Sequence, residues 1–159
     1  MNSPLLPYKH VMTLTLDVDS ANSFSVGATP NGRRTVAPIR GGRFDGELLR
    51  GDVLPGGADW VLFRADGVMK IDVRLSLKTD EGSPMYLSYS GQFVASAEAM
   101  KLLASGAELP PESYSLTVIA RLETGDTSLG WLADSAIVGV GKQSGFNPTY
   151  DFYVIGREF

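Results

Sequence analysis

Asp72 and Arg74 stand two residues apart in the stretch 69–78, where apolar and polar residues alternate strictly. In a strand that spacing sends both side chains out of one face, so a carboxylate and a guanidinium can share a ligand. The carboxylate suits a general base, and the guanidinium suits a clamp for a carboxylate or a stabiliser of an enolate. Tyr86 joins them if the turn chemistry of Thr79-Asp80-Glu81-Gly82-Ser83 folds 69–78 and 84–94 into a hairpin with polar faces together, because Tyr86, Ser88 and Ser90 form the more polar face of the second strand. A phenol there can donate a proton or bond a carbonyl. Asp72, Arg74 and Tyr86 are therefore the catalytic candidates. A solvated stripe is the competing reading, since Lys70, Ser76 and Lys78 continue the same face and Met69, Ile71, Val73, Leu75 and Leu77 make the other purely aliphatic.

Asp59 and Trp60 follow a Pro-Gly-Gly turn and open another strand. Asp59 either caps that turn or presents a carboxylate at the mouth of a pocket, and Trp60 is either a packing residue or a stacking platform. Both are substrate-binding candidates. His10 lies outside any motif and reads as a solvated side chain, with no serine and acid arranged nearby for a triad. Asp17-Val18-Asp19 and Asp80-Glu81 lack calcium-loop spacing. With no cysteine and one histidine, thiolate nucleophiles, iron–sulfur clusters and Cys- or His-based zinc cages are excluded. No metal and no cofactor is expected. A net charge of −4 disfavours a phosphate backbone as partner, so nucleic acid is not expected either.

These residues need a scaffold, and the rest of the chain describes one. Its 159 residues suit one compact domain over 1–159, and 43% hydrophobic with 20% charged residues is ordinary globular composition. The 18 glycines and 9 prolines fall between short alternating segments. Strands are predicted at 11–18, 23–28, 34–39, 60–64, 69–78, 84–94, 113–123, 136–141 and 150–155. One short helix is predicted over 96–106, where an N-cap serine, helix formers and a closing glycine follow one another. About nine strands suffice to close a sheet, and closure removes exposed edges. The expected fold is all-β: a closed or nearly closed antiparallel barrel with one short helix, whose mouth can hold a small ligand. No apolar stretch is long enough for a membrane span or signal, and the chain reads as soluble and cytoplasmic.

The stretch 39–60 holds six glycines in twenty-two residues. It matches neither a P-loop nor a dinucleotide fingerprint, and a strand follows it, so tight turns, bulges and close backbone approach explain it better. Gly41-Gly42-Arg43-Phe44-Asp45-Gly46, Gly51-Asp52-Val53-Leu54-Pro55-Gly56-Gly57-Ala58-Asp59-Trp60, Arg64, Asp66-Gly67, Asp72-Val73-Arg74 and Thr79-Asp80-Glu81-Gly82 together resemble domain-of-unknown-function family 3237. Leu122-Glu123-Thr124-Gly125-Asp126 continues the resemblance. The family's Tyr-x-Trp-Leu-Asn pattern then departs at two positions, with Leu129, Trp131, Leu132 and Ala133 standing here. Trp131 is carried over as a third substrate-binding candidate. The resemblance implies a small calycin-like barrel without an established general activity, and it favours a lumenal place for Asp72 and Arg74.

Three functions fit this reading. The first is a cofactor-independent isomerase, cyclase or lyase acting on a small organic substrate, aromatic or carboxylate-bearing, inside the barrel. A non-catalytic carrier or sensor of a small molecule is the second, and a filled, partner-binding barrel is the third. The expected partner is a small-molecule ligand, with homodimer formation left open. A cavity inside the barrel separates the first two from the third.

Overall fold

The computed structural model describes residues 2–145 and 147–158. Ten strands run in chain order: β1 Tyr8–Val18, β2 Phe24–Thr29, β3 Gly32–Asp45, β4 Gly51–Val53, β5 Gly57–Phe63, β6 Met69–Thr79, β7 Pro84–Ala95, β8 Tyr114–Thr124, β9 Ala136–Lys142 and β10 Thr149–Ile155. Two helices accompany them, α1 Ala97–Ala104 and α2 Gly130–Ala133. No helix among the described residues is long and apolar enough to cross a membrane.

Every pairing is antiparallel, in the order β1-β10-β9-β8-β7-β6-β4-β3-β2, with β5 bridging β3 and β6. Pairing of β1 with β3 closes the sheet. The 14-residue β3 makes closure possible by serving two neighbours on each edge. One edge pairs β1 along 39–45 and β2 along 32–36, while the other pairs β4 along 42–44 and β5 along 33–39. The outcome is a closed eight-stranded antiparallel barrel with two extra strands.

Glycine-rich sequence hides part of this arrangement. A strand ending at Ile39 is what the sequence predicts, yet β3 continues through Gly41 and Gly42 to Asp45, and the short β4 is not anticipated at all. The reason is close approach of backbones. A Cβ on Gly51 would lie 2.1 Å from the Lys78 carbonyl oxygen and 2.5 Å from Phe44 Cζ. Gly42, at φ +154°, would bring one within 2.2 Å of the Thr15 carbonyl oxygen, beside the register shift at Asp17/Val18.

The expected helix is α1, and Ser96 caps it by accepting a hydrogen bond from the Ala99 N–H at 3.1 Å. α2 is additional, a single turn after the Asp126 cap, and it sets fully buried Leu132 into the core. Buried Phe44 and Leu49 lie at the same end of the barrel, with Leu129 and Trp131 packed against the core. That end is plugged. At the other end α1 lies over the opening.

Candidate functional site

Alternation decides what the lumen contains. Asp59, Val61 and Phe63 of β5, Ile71 and Val73 of β6, Tyr89 and Phe93 of β7 and Tyr150 of β10 line a cavity of about 770 Å³. α1 contributes Met100, Lys101, Leu103 and Ala104 to its mouth. Gln143 ties the mouth together: its side chain accepts from the Leu109 N–H at 3.2 Å and donates to the Gly145 and Ala107 carbonyls. The lining is mainly apolar, and its size suits a small organic molecule.

Three polar groups meet inside. The β5–β6 ladder pairs Asp59 with Val73 and resumes at Leu62 with Lys70, leaving it open between. In that gap the Asp72 N–H donates to Asp59 Oδ1 at 3.1 Å. Burial pushes the Asp59 carboxyl up to about 7; the Asp72 N–H opposes the rise and the Asp72 charge adds to it. Tyr89 stands in the same cross-strand row, opposite Val73, and is 2% exposed. Among the described residues its hydroxyl is buried without a hydrogen-bond partner. Tyr150, also 2% exposed, packs against Tyr89 with ring centroids 5.0 Å apart. Both phenols are pushed well above their ordinary range, first by burial; the Tyr150 and Asp59 charges act further on Tyr89, and the Asp59 charge on Tyr150.

Glycines in β9 give these rings their space. Gly141 pairs with Tyr150 and Gly139 with Phe152. A Cβ at Gly141 would stand 2.9 Å from Tyr150 Cε1, and one at Gly139 2.8 Å from Phe152 Cε1. The arrangement brings an acid that titrates near neutrality beside an unpartnered phenol in an apolar chamber. Such a pair can move a proton and hold a developing oxyanion.

The cavity does not include the trio singled out from the sequence. Asp72, Arg74 and Tyr86 do come together as the hairpin register requires, with Asp72 opposite Ser90, Arg74 opposite Ser88 and Ser76 opposite Tyr86. They lie on the outside of the barrel. Arg74 is exposed, Tyr86 is 39% exposed, and none of the three lines the cavity. The physical reason is the aliphatic face behind them: Ile71, Val73, Leu75 and Leu77 are buried, and strand alternation then turns every polar partner outward.

Trp60 is likewise outside, half-buried, with the Arg74 guanidinium carbon 5.4 Å from its ring centroid. Trp131 belongs to the plugged end, with Arg157 over its ring at 5.7 Å. Of the substrate-binding candidates, Asp59 alone lines the cavity. The signal that separates it from Trp60 is parity: Asp59 falls in step with Val61 and Phe63. Tyr89 was hidden by the same rule, since it shares the apolar parity of Met85, Leu87 and Phe93.

His10 is not merely solvated. Its Nε2 lies 3.0 Å from Asp151 Oδ1 and 3.2 Å from Thr13 Oγ1. Thr13 donates to the same Asp151 oxygen at 2.7 Å, so its hydroxyl is not aimed at the imidazole as an activated nucleophile. The acidic pairs are bound by arginine: Arg40 reaches Asp17 and Asp19, and Arg43 reaches Asp52 and Asp80. Among the described residues no group of three or more metal-ligating side chains is arranged to hold an ion.

Known proteins share this barrel. The family model described as "Protein of unknown function (DUF3237)" matches residues 6–155. A UPF0311 protein of Rhodopseudomonas palustris is 30% identical over 137 residues, 86% of this chain and 88% of that one. A beta-barrel like protein from Acinetobacter baumannii superposes with a TM-score of 0.83 at 32% identity, over 98% of this chain and 99% of its own. At 14% identity, a crystal structure of an enzyme from Penicillium herquei has a TM-score of 0.70 over 98% of each chain, a likeness of fold alone.

Proposed function

This chain belongs to the DUF3237 family, and from the chemistry of its lumen we propose that it is a cofactor-independent acid–base enzyme acting on a small organic carbonyl compound. One observation carries the reading: the Asp59 carboxyl, raised to about 7, faces the same cavity as Tyr89, whose hydroxyl has no hydrogen-bond partner among the described residues. Asp59 as carboxylate takes a proton from the carbon next to the carbonyl. The C–H electron pair forms the C=C bond of the enolate as the C=O π pair moves onto oxygen, which the Tyr89 hydroxyl stabilises by donating a hydrogen bond. Return of the proton elsewhere is an isomerisation, loss of a β-leaving group is a lyase step, and attack of the enolate on an internal electrophile closes a ring. The outer trio of Asp72, Arg74 and Tyr86 has no part in this scheme. Asp72 contributes only through its backbone N–H and its charge, which set the position and basicity of Asp59.

A carrier or sensor is the second reading, favoured by the predominantly apolar lining of the cavity. Proton exchange separates the two. In deuterated buffer, wild-type protein is expected to accelerate deuterium uptake next to the carbonyl across a panel of bicyclic ketones led by 2-tetralone, followed by NMR, with the rate rising through about pH 7. Asp59→Asn is expected to lose about a hundredfold or more, and Tyr89→Phe a smaller factor, in keeping with general-base and oxyanion contributions. Saturable binding without exchange identifies a carrier. Exchange that persists in Asp59→Asn removes Asp59 as the base.

A further inference from the structure

Among the described residues three charged side chains line the cavity: Asp59 inside, and Arg33 and Lys101. Arg33 comes from the end of β3 next to the β2–β3 turn and Lys101 from α1, so both stand at the open end and both are exposed. Neither makes an ion pair among the described residues, whereas Arg40, Arg43, Arg50 and Arg64 each engage aspartate. Arg33 is also oriented, its guanidinium carbon 5.1 Å from the centroid of Phe63, its cross-strand partner. A chain with a net charge of −4 thus places two uncommitted cations around the entrance of an apolar chamber.

We infer that the cavity selects an amphipathic anion, its apolar body against Val61, Phe63, Ile71 and Phe93 and its carboxylate held at the mouth between Arg33 and Lys101. This rests on the reading of the cavity as the place where ligand binds. It adds what the acid–base scheme leaves open, the end of the molecule that does not react. Arg33 can present two N–H donors to a carboxylate while its guanidinium carbon stays over the Phe63 ring, and Lys101 supplies a second cation from a different element. With the anion at the rim, the neutral body reaches inward toward Asp59 and Tyr89. A carboxylate driven inward instead would meet the Asp59 charge.

The test uses matched acids and amides: 2-naphthylacetate with 2-naphthylacetamide, and dodecanoate with dodecanamide, titrated by calorimetry at low salt. In wild-type protein at least one acid is expected to bind about fivefold or more tighter than its amide, as two solvent-facing charge contacts allow, and the preference is expected to shrink in 0.5 M salt. Arg33→Gln/Lys101→Gln is expected to abolish the preference while amide affinity stays unchanged. Both residues are exposed, and circular dichroism confirms that the variant is folded. Equal binding of acid and amide to wild type overturns the inference, as does a preference that survives the double substitution or failure of all four compounds to bind. Charge-selective binding without deuterium exchange defeats the acid–base scheme and leaves this inference standing. Exchange without charge selectivity does the reverse.

Discussion

In the proposed scheme Asp59 serves chemistry at the expense of stability. The unfolded chain releases this proton near pH 4, and the folded protein keeps it to about 7. Between those values the native state holds more protons than the unfolded state, so this group's contribution falls as pH rises through that window. Asp59→Asn removes the titration and keeps an Oδ1 able to accept from the Asp72 N–H. The variant is expected to exceed wild type in stability by up to about 4 kcal/mol at pH 8, and the difference should close by about pH 4. Thermal melts of the two proteins across that range check it. A constant offset would mean that packing around residue 59, and not its charge, sets the difference.

Among the elements, α1 is both a connection and the cover of the cavity. Its eight residues bury only Ala99, so tertiary packing gives it little support and the Ser96 cap matters correspondingly. Ser96→Ala removes the acceptor for the Ala99 N–H and is expected to cost about 1 kcal/mol. Amide hydrogen exchange in 97–104 should quicken while β6, β7 and β8 keep their protection. Equal loosening of the strands would show that α1 and the barrel unfold as one unit. The strands themselves carry the site through small departures from regularity. The break in the β5–β6 ladder frees the N–H that holds Asp59, and Gly141 admits the Tyr150 ring.

For the whole molecule the carboxylates set two opposing trends. Asp17 and Asp80 are held below the ordinary carboxylate range first by hydrogen bonds from Arg40 and Arg43, Asp66 by Arg64, and Asp126 by Ser128. Their contribution is present above the unfolded value and is lost as pH falls through the folded ones. Asp59 acts in the other direction, toward neutrality. Stability is therefore expected to peak at about pH 4 to 5 and to decline on both sides, a profile that melting temperatures from pH 3 to 9 record. In Asp59→Asn the decline on the alkaline side should largely disappear while the acid side remains.

The sequence alone determined what depends on short-range pattern. Alternation in 69–78 and 84–94 implies paired strands with their polar faces together, and β6 and β7 pair in that register. Ser96 through Gly106 specifies α1, because capping and helix propensity act within one turn. Strand count and the need to cover edges imply the barrel. Only the tertiary structure decided which face is inside, and that choice inverted the candidate site. Period two says that Asp72 and Arg74 share a face, but the lumen goes to whichever set of side chains loses most by meeting water, and here that is the aliphatic set with Tyr89 and Asp59 in step with it. The long reach of β3, the hidden β4, the His10–Asp151 contact across 141 residues and the cations at the cavity mouth likewise arise from closure of the sheet. Closure joins segments that no local pattern relates.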